Sequence, residues 1–356
     1  MAYTAIDNPE LYFQAVLWTA NGSNPRTITF GGEEDMQPDL LWYKCRSAAV
    51  PNILLDSVRG AGNDKELSTN DNEEQGAQSS ETDGFISAFT SNGFTLAAGA
   101  SGGDHYTNEG SRTFVAWGWK AGTTSVPSGS TSDPSAVSYS ATAGFGIYKI
   151  TAPGSGNYAL KHGLGTAPDF LWVKDLDANQ KHMMWSDRFS NLTDDYLQLN
   201  TNDAKATYST CWSTMNTTDA TIATGGTLDV NNDHVIYVFS NRQGFLKHGK
   251  YVGNANASGT FVYTGFKPAW LMVKGDRADN WQIMDNKRLG YNVIAPRLEA
   301  STSDAEYTNL NNCDFTANGF KVRSSDSHMN YSEDYYYLAF AEAPFVNSNG
   351  VPNNAR

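Results

Sequence analysis

Asp39-Leu-Leu-Trp-Tyr-Lys44, Asp169-Phe-Leu-Trp-Val-Lys174 and Ala269-Trp-Leu-Met-Val-Lys274 are one phrase written three times. Each follows a proline (Pro38, Pro168, Pro268), and each runs apolar into a lysine. A run of four or five apolar residues bounded by turn formers reads as a strand buried on both faces. The surroundings repeat in the same order. Upstream stand a strand, a small-residue turn and a second strand, as in Val16–Gly22 through Ile28–Phe30. Downstream an Asp and an Arg lie close together: Asp56 and Arg59, Asp187 and Arg188, Asp285 and Arg288. Each copy closes on an aromatic strand, at Phe114–Trp117, Val235–Phe239 and Tyr336–Phe340. Repeats of this length are domain-sized units and are read before any motif.

The units are placed at 1–122, 145–243 and 244–356, the last with a C-terminal tail. A Ser/Thr/Pro/Gly-rich stretch at 123–144 reads as an exposed linker. Short runs of Val, Ile, Tyr, Phe and Trp alternate with Gly, Asn, Asp and Ser clusters about every ten residues. The expected fold is therefore all-β, three tandem sandwich or jelly-roll-like repeats of one unit. Units one and three carry an Asn-Gly-Phe turn, at Asn92–Phe94 and Asn318–Phe320, which unit two lacks. Helix is undecided only near Asn63–Glu81 and Thr302–Asn309.

Composition limits function. Among 356 residues the net charge is −13, so the long-range field repels phosphate backbones and anionic lipid, and no nucleic-acid partner is expected. No apolar stretch approaches the roughly 18 residues that span a bilayer, so no membrane insertion is expected. Cys45, Cys211 and Cys313 are odd in number and widely spaced, and read as buried thiols rather than a disulfide framework. No secretory leader is read at Met1–Thr4, so the five Asn-x-Ser/Thr triplets reflect composition rather than glycosylation.

Chemistry-bearing motifs are sparse. There is no phosphate-binding loop, zinc-protease helix or dinucleotide-binding glycine pattern. His162 and His248 share a Lys-His-Gly string at expected turns, with no second ligand at metal spacing, so no metal and no cofactor are expected. The recurring cluster is the candidate site: Trp42, Lys44, Asp56 and Arg59; Trp172, Lys174, Asp187 and Arg188; Lys274, Trp281, Asp285 and Arg288. Such a set could grip a sugar by ring stacking and bidentate hydrogen bonds, or pin a β connection in each unit as a salt bridge.

The strings Pro38-Asp-Leu-Leu-Trp-Tyr-Lys44, Leu55-Asp-Ser-Val-Arg-Gly60, Ser91-Asn-Gly-Phe-Thr-Leu96 and Phe114-Val-Ala-Trp-Gly-Trp-Lys-Ala-Gly122 resemble a repeat domain of tailed-bacteriophage structural proteins. That domain is common in marine and cyanobacterial phages and often labelled tail fibre. His162-Gly-Leu-Gly-Thr-Ala-Pro-Asp169 and Tyr337-Leu-Ala-Phe-Ala-Glu-Ala-Pro-Phe345 extend the resemblance over nearly the whole chain. It implies a virion protein made in the host cytoplasm, a non-enzymatic fibre or spike component that binds host-surface carbohydrate. It also implies other virion proteins as partners and a homo-oligomer, a trimer by preference. A capsid decoration or tail adaptor is the alternative, and a polysaccharide depolymerase the third. No heptads and no glycine-rich shaft appear, so a knob is expected rather than a rod.

Overall fold

In the computed structural model, which describes residues 2–77, 83–100, 102–103 and 105–354, the three proline-led ribbons are inner strands. The first third of the chain contains β1 (Phe13–Thr19), β2 (Arg26–Thr29), β3 (Leu40–Cys45), β4 (Ile53–Asp56), β5 (Leu67–Ser68), β6 (Phe85–Thr90), β7 (Gly93–Ala97) and β8 (Thr113–Trp119). The second contains β9 (Ala136–Ser140), β10 (Phe145–Thr151), β11 (Asn157–Lys161), β12 (Phe170–Asp175), β13 (Met183–Ser186), β14 (Asp195–Gln198), β15 (Ala206–Thr207), β16 (Trp212–Met215), β17 (Asp219–Ala223) and β18 (Asp233–Phe239). The third contains β19 (Leu246–Val252), β20 (Phe261–Tyr263), β21 (Phe266–Gly275), β22 (Gln282–Asp285), β23 (Leu298–Glu299), β24 (Cys313–Thr316), β25 (Gly319–Val322) and β26 (Asp334–Pro344).

The fold is all-β and its sheets are antiparallel. One strand order occurs three times: β1-β8-β3-β4-β5, β10-β18-β12-β13-β14 and β19-β26-β21-β22-β23. Each large sheet is accompanied by a three-stranded one, β2-β7-β6, β11-β17-β16 or β20-β25-β24. The middle large sheet alone is widened, by β9 at one edge and β15 at the other. Part of the stretch read as a linker is thus strand: 136–140 pairs with β10, and Thr123 bridges to Tyr139. Its alternating Val137 and Tyr139 supply the apolar edge face that the Ser/Thr/Pro/Gly composition conceals. Neither undecided helix forms among the described residues: 63–77 holds a single 3-10 turn, Asn63–Lys65, and 302–309 is irregular. Residues 78–81 lie outside the described residues.

The ribbons are apolar throughout because both faces are covered. Leu41, Tyr43 and Cys45 of β3 join Val16, Trp18, Ile53, Leu55, Phe114 and Ala116 in a core facing the small sheet through Ile28, Ile86, Phe94 and Leu96. The alternate residues, Leu40 and Trp42, join Leu54, Val115, Trp117 and Trp119 in a second core, continuous with the other two large sheets. The period of two sends one set of side chains into the sandwich and the other into the centre of the molecule. There, equivalent residues meet: Leu40, Phe170 and Trp270; Trp42, Trp172 and Met272; Trp119, Phe239 and Phe340. Trp42 lies 5.6 Å from Trp172 and 6.3 Å from Trp270 between ring centroids, and Trp119 lies 5.4 Å from Trp270. They enclose about 10 Å³, room for a single water at most, so the centre is a packed core and not a channel.

The Asn-Gly-Phe turns have a steric cause. Gly93 adopts φ 139°, and a Cβ on it would collide with Ile28 O of the neighbouring strand, as one on Gly319 would with Val262 O. Unit two keeps the hairpin by another device. Asn216 Oδ1 accepts from the backbone of Thr218 and Asp219, and Asp219 pairs with Lys161 at 2.5 Å.

Cys45, Cys211 and Cys313 are all buried and unpaired, and burial pushes the Cys211 and Cys313 thiols up. The native protein is expected to react with an aromatic disulfide reagent at none of its thiols at neutral pH, and at all three once unfolded in guanidinium. Rapid labelling of the native chain would contradict this packing.

Candidate functional site

Strand register decides where the recurring polar residues lie. β3, β12 and β21 align Lys44, Lys174 and Lys274, all fully buried. Lys174 Nζ donates to Asp175 O (2.7 Å) and Ala178 O (3.3 Å), and Lys274 Nζ to Gly275 O (3.0 Å) and Arg277 O (2.6 Å). Lys44 Nζ donates to Asn52 Oδ1 and, across to unit three, to Thr302 O (2.8 Å). Lys174 and Lys274 thus cap carbonyls of the turn that follows their strand, while Lys44 ties its unit to unit three. Burial pushes Lys44 down to about 7 and Lys174 and Lys274 down to about 8. The unfolded chain holds these protons up to about pH 10, so between pH 7 and 10 protons favour unfolding and stability rises with pH. The wild type is expected to gain about 1 to 2 kcal/mol relative to Lys44→Met between pH 7 and 9, measured by urea unfolding at each pH. A constant difference would show that Lys44 holds its proton as tightly in the folded chain as in the unfolded one, and would refute the effect of burial.

The acid and base of each cluster stand where two units meet. In β4 and β22 the last residue is the carboxylate: Asp56 faces Leu40, and Asp285 faces Trp270. Asp56 Oδ2 accepts from Arg59 Nε at 2.7 Å, and Asp285 Oδ2 from Arg288 Nε at 2.6 Å, all four side chains being buried. Each carboxylate then takes a donor from a neighbouring unit. Tyr237 Oη donates to Asp56 at 2.7 Å, and Trp117 Nε1 donates to Asp285 at 3.0 Å. Those donors occupy matching places on β18 and β8, since Tyr237 pairs with Trp172 and Trp117 with Trp42. Burial disfavours the Arg59 charge, but Asp56 and Tyr237 outweigh it and hold the guanidinium above its ordinary value.

At the third junction all three partners change together. The residue facing Phe170 is Ser186, so Ser186 and Phe189 hold the places of Asp56 and Arg59, not Asp187 and Arg188. The place of Tyr237 is Leu338. Ser186 Oγ meets His248 Nε2 at 2.6 Å, and Phe189 packs edge-on against Tyr336 at 5.0 Å. His248 lies in β19, buried, rather than in a turn, and burial lowers it to about 3. Asp187, pushed up to about 7 by burial and then by Asp169, sits at the margin beside the exposed Arg188 at 3.1 Å.

A second set of contacts closes the ring. Trp281 is not the counterpart of Trp42 and Trp172; it precedes β22 as Asn52 precedes β4 and His182 precedes β13. Asn52 Nδ2 donates to Glu299 O of unit three (3.1 Å), Trp281 Nε1 to Gln198 O of unit two (2.7 Å), and His182 Nε2 meets Ser68 O of unit one at 3.0 Å. Trp172 Nε1 can only donate, so it fixes His182 Nδ1 as acceptor and places the ring proton on Nε2. Backbone bonds follow the same cycle: Gln75 N to Leu176 O, Lys205 N to Asp276 O, and Glu306 N to Arg46 O. The three sheets form a closed head-to-tail ring within one chain.

Of the candidate residues, then, Trp42, Lys44, Asp56, Arg59, Trp172, Lys174, Lys274, Trp281, Asp285 and Arg288 are buried in core and junctions, and Arg188 is exposed. The pairs Asp56–Arg59 and Asp285–Arg288 serve as pins between units, while Lys174 and Lys274 brace turns of their own units and Asp187–Arg188 stays at the margin. Gly99-Ala-Ser-Gly-Gly103 spells the letters of a nucleophile elbow, but it joins strand β7 to strand β8 rather than a strand to a helix, and Ser101 lies outside the described residues. Among the described residues no group of three or more His, Cys, Asp or Glu could hold a metal ion, and no helix is long and apolar enough to cross a membrane.

Open chemistry lies on the outside. Tyr208, Tyr263, Tyr291 and Tyr331 are each more than half exposed. Sequence carries a partial signal: Tyr208, Tyr291 and Tyr331 stand beside Ser, Gly or Asn, whereas the core tyrosines Tyr43, Tyr148 and Tyr237 each have a large apolar neighbour, Trp42, Ile147 and Ile236; Tyr263, between Val262 and Thr264, is not separated this way. A cleft of about 270 Å³ opens in unit two between β13–β14 and the loops 208–211 and 224–229. Its legible signal is loop length: nine residues join β17 to β18, against fifteen between β7 and β8 and eleven between β25 and β26.

No curated protein and no solved structure matches the chain. Residues 8–344, a span that takes in all three large sheets, match one family, and the chain accordingly belongs to that family, described as a domain of unknown function, DUF7483.

Proposed function

We propose that the chain is a structural protein of a tailed-phage virion, a tail-associated knob that holds host-surface carbohydrate on outward loops and catalyses no reaction. One observation supports this reading: apart from Asp187 and Arg188, the Lys, Asp, Arg and Trp residues that recur in the sequence are buried in cores, turns and junctions. That leaves loops and edge strands as the surface available for contact. Weak contacts made on several loops of one rigid body add in effect. In this reading the threefold order expected of a trimer is placed within the chain, and contacts with other virion proteins need only one copy.

Cryo-electron microscopy of particles from the phage that encodes the chain tests the proposal. Density for the ring at the tail is the expected result, with sedimentation of the free protein as a monomer of 38.8 kDa. Density on the head lattice would replace the knob with a capsid decoration, and absence from purified particles would overturn the virion reading.

A further inference from the structure

The cleft in unit two has the chemistry of a sugar subsite, and it lies where unit two differs most from its neighbours. Its floor is apolar, made by Met183 and Cys211. Tyr196 and Tyr208 supply aromatic surface. Gln180 and Asp229 stand at the rim, joined by a hydrogen bond from Gln180 Nε2 to Asp229 Oδ2 of 2.6 Å. Lys181 offsets one of the two carboxylates that line the cleft, Asp229 and Asp175, and Asp175 is already engaged by Asn232 at 2.9 Å and by His234 at 3.3 Å.

The aromatic wall is held in place while its ring stays open. Tyr208 N donates to Asp194 O at 3.0 Å, and Tyr208 O accepts from Cys211 Sγ at 3.4 Å, yet the residue is 54% exposed. Thr210 N donates to Asp194 Oδ1 at 2.9 Å, fixing the same loop with Thr210 at φ 64°. Opposite it, Gly226 permits close approach: a Cβ there would stand 2.7 Å from Thr210 O. A bulky exposed ring whose backbone is pinned loses little entropy on binding. In unit one the longer β7–β8 loop, which holds the place of 224–232, packs Tyr106 against the sandwich core.

We infer that this cleft binds one neutral pyranose ring, stacked by its C–H face on Tyr208 and hydrogen-bonded by its hydroxyls to Gln180 and Asp229. The volume suits a single sugar residue rather than a nucleotide or peptide, and the acidic chain repels phosphate. The inference deepens the carbohydrate part of the proposed function and rests on it for the source of the ligand, a surface polysaccharide.

The test is saturation-transfer difference NMR of the full chain with the methyl glycosides of glucose, galactose and mannose. At least one glycoside is expected to receive saturation at its ring C–H protons. Tyr208→Ala should weaken that binding about tenfold and Tyr208→Phe should retain it. The melting temperature should stay unchanged in both variants, because the ring is exposed. No transfer to any of the three, or transfer undiminished in a folded Tyr208→Ala, would overturn the subsite. Particle location is read independently, so that result leaves the virion reading standing or falling on its own test.

Discussion

Asp56→Ala is expected to destabilise the protein by about 3–5 kcal/mol, the loss typical of breaking a buried ion pair from one side. The Arg59 guanidinium would remain buried with neutral partners, Lys65 O and Gln75 Oε1 at 3.0 Å, and Tyr237 Oη would lose its acceptor. Ser186→Ala, at the matching place of the third junction, removes two neutral hydrogen bonds, one with His248 Nε2 and one accepted from Arg188 N, and should cost about 1–2 kcal/mol. Urea unfolding monitored by tryptophan fluorescence measures both, the midpoint shift at constant slope giving the difference. Equal losses at the two sites would show that the Asp–Arg pair does not pin the junction. The fourfold change Asp56→Ser, Arg59→Phe, Tyr237→Leu and Ile147→His copies the third junction into the first, since Ile147 pairs with Tyr237 as His248 pairs with Leu338. It should recover most of the loss seen in Asp56→Ala, because the buried charge is gone and the serine hydroxyl meets a histidine as Ser186 does.

That third junction also marks where sequence and fold part company. The ribbons were legible because a proline, an apolar run and a lysine keep fixed spacing, and strand register aligns Lys44, Lys174 and Lys274 without a shift. The Asp and Arg of unit two were read from matching letters, and Asp187-Arg188 offers those letters one place away from the positions that matter. Register, which only pairing reveals, puts Ser186 and Phe189 there. Trp281 misleads for the same reason, being a tryptophan near the ribbon that occupies the place of Asn52 and His182. The all-β class was legible from composition and turn spacing. The closed ring was not: continuous apolarity in β3 says that both faces are covered, but a linear pattern carries no sign of whether the second cover is a sheet of the same unit or two other units. Of the cluster read as either a sugar grip or a salt bridge, the pairs Asp56–Arg59 and Asp285–Arg288 lie buried where two units meet, a placement that only packing reveals.

Because the second cover comes from other units, the sheets should not be independently stable. Trp42→Ala is expected to cost about 3–5 kcal/mol, since the ring packs at once on Trp117 of its own sheet, Trp172 of the second and Trp270 of the third. The decisive feature is how that loss is distributed. If each unit carried a private core, the substitution would melt unit one early and leave a second transition near the wild-type temperature. With a shared centre, calorimetry should show the whole chain unfolding in one transition at a lowered temperature. Residues 1–122 expressed alone carry the argument to its limit. Their sandwich core survives the cut, but Leu40, Trp42, Leu54, Val115, Trp117 and Trp119 would face water together. Three exposed indoles on one sheet make an apolar patch that drives association, so the fragment should aggregate or bind a hydrophobic dye strongly where the full chain does not. A monomeric, cooperatively folded fragment would mean that the tryptophan centre only fills space between finished domains; failure of the fragment alongside a single transition in Trp42→Ala would make that centre the common core on which all three sheets depend.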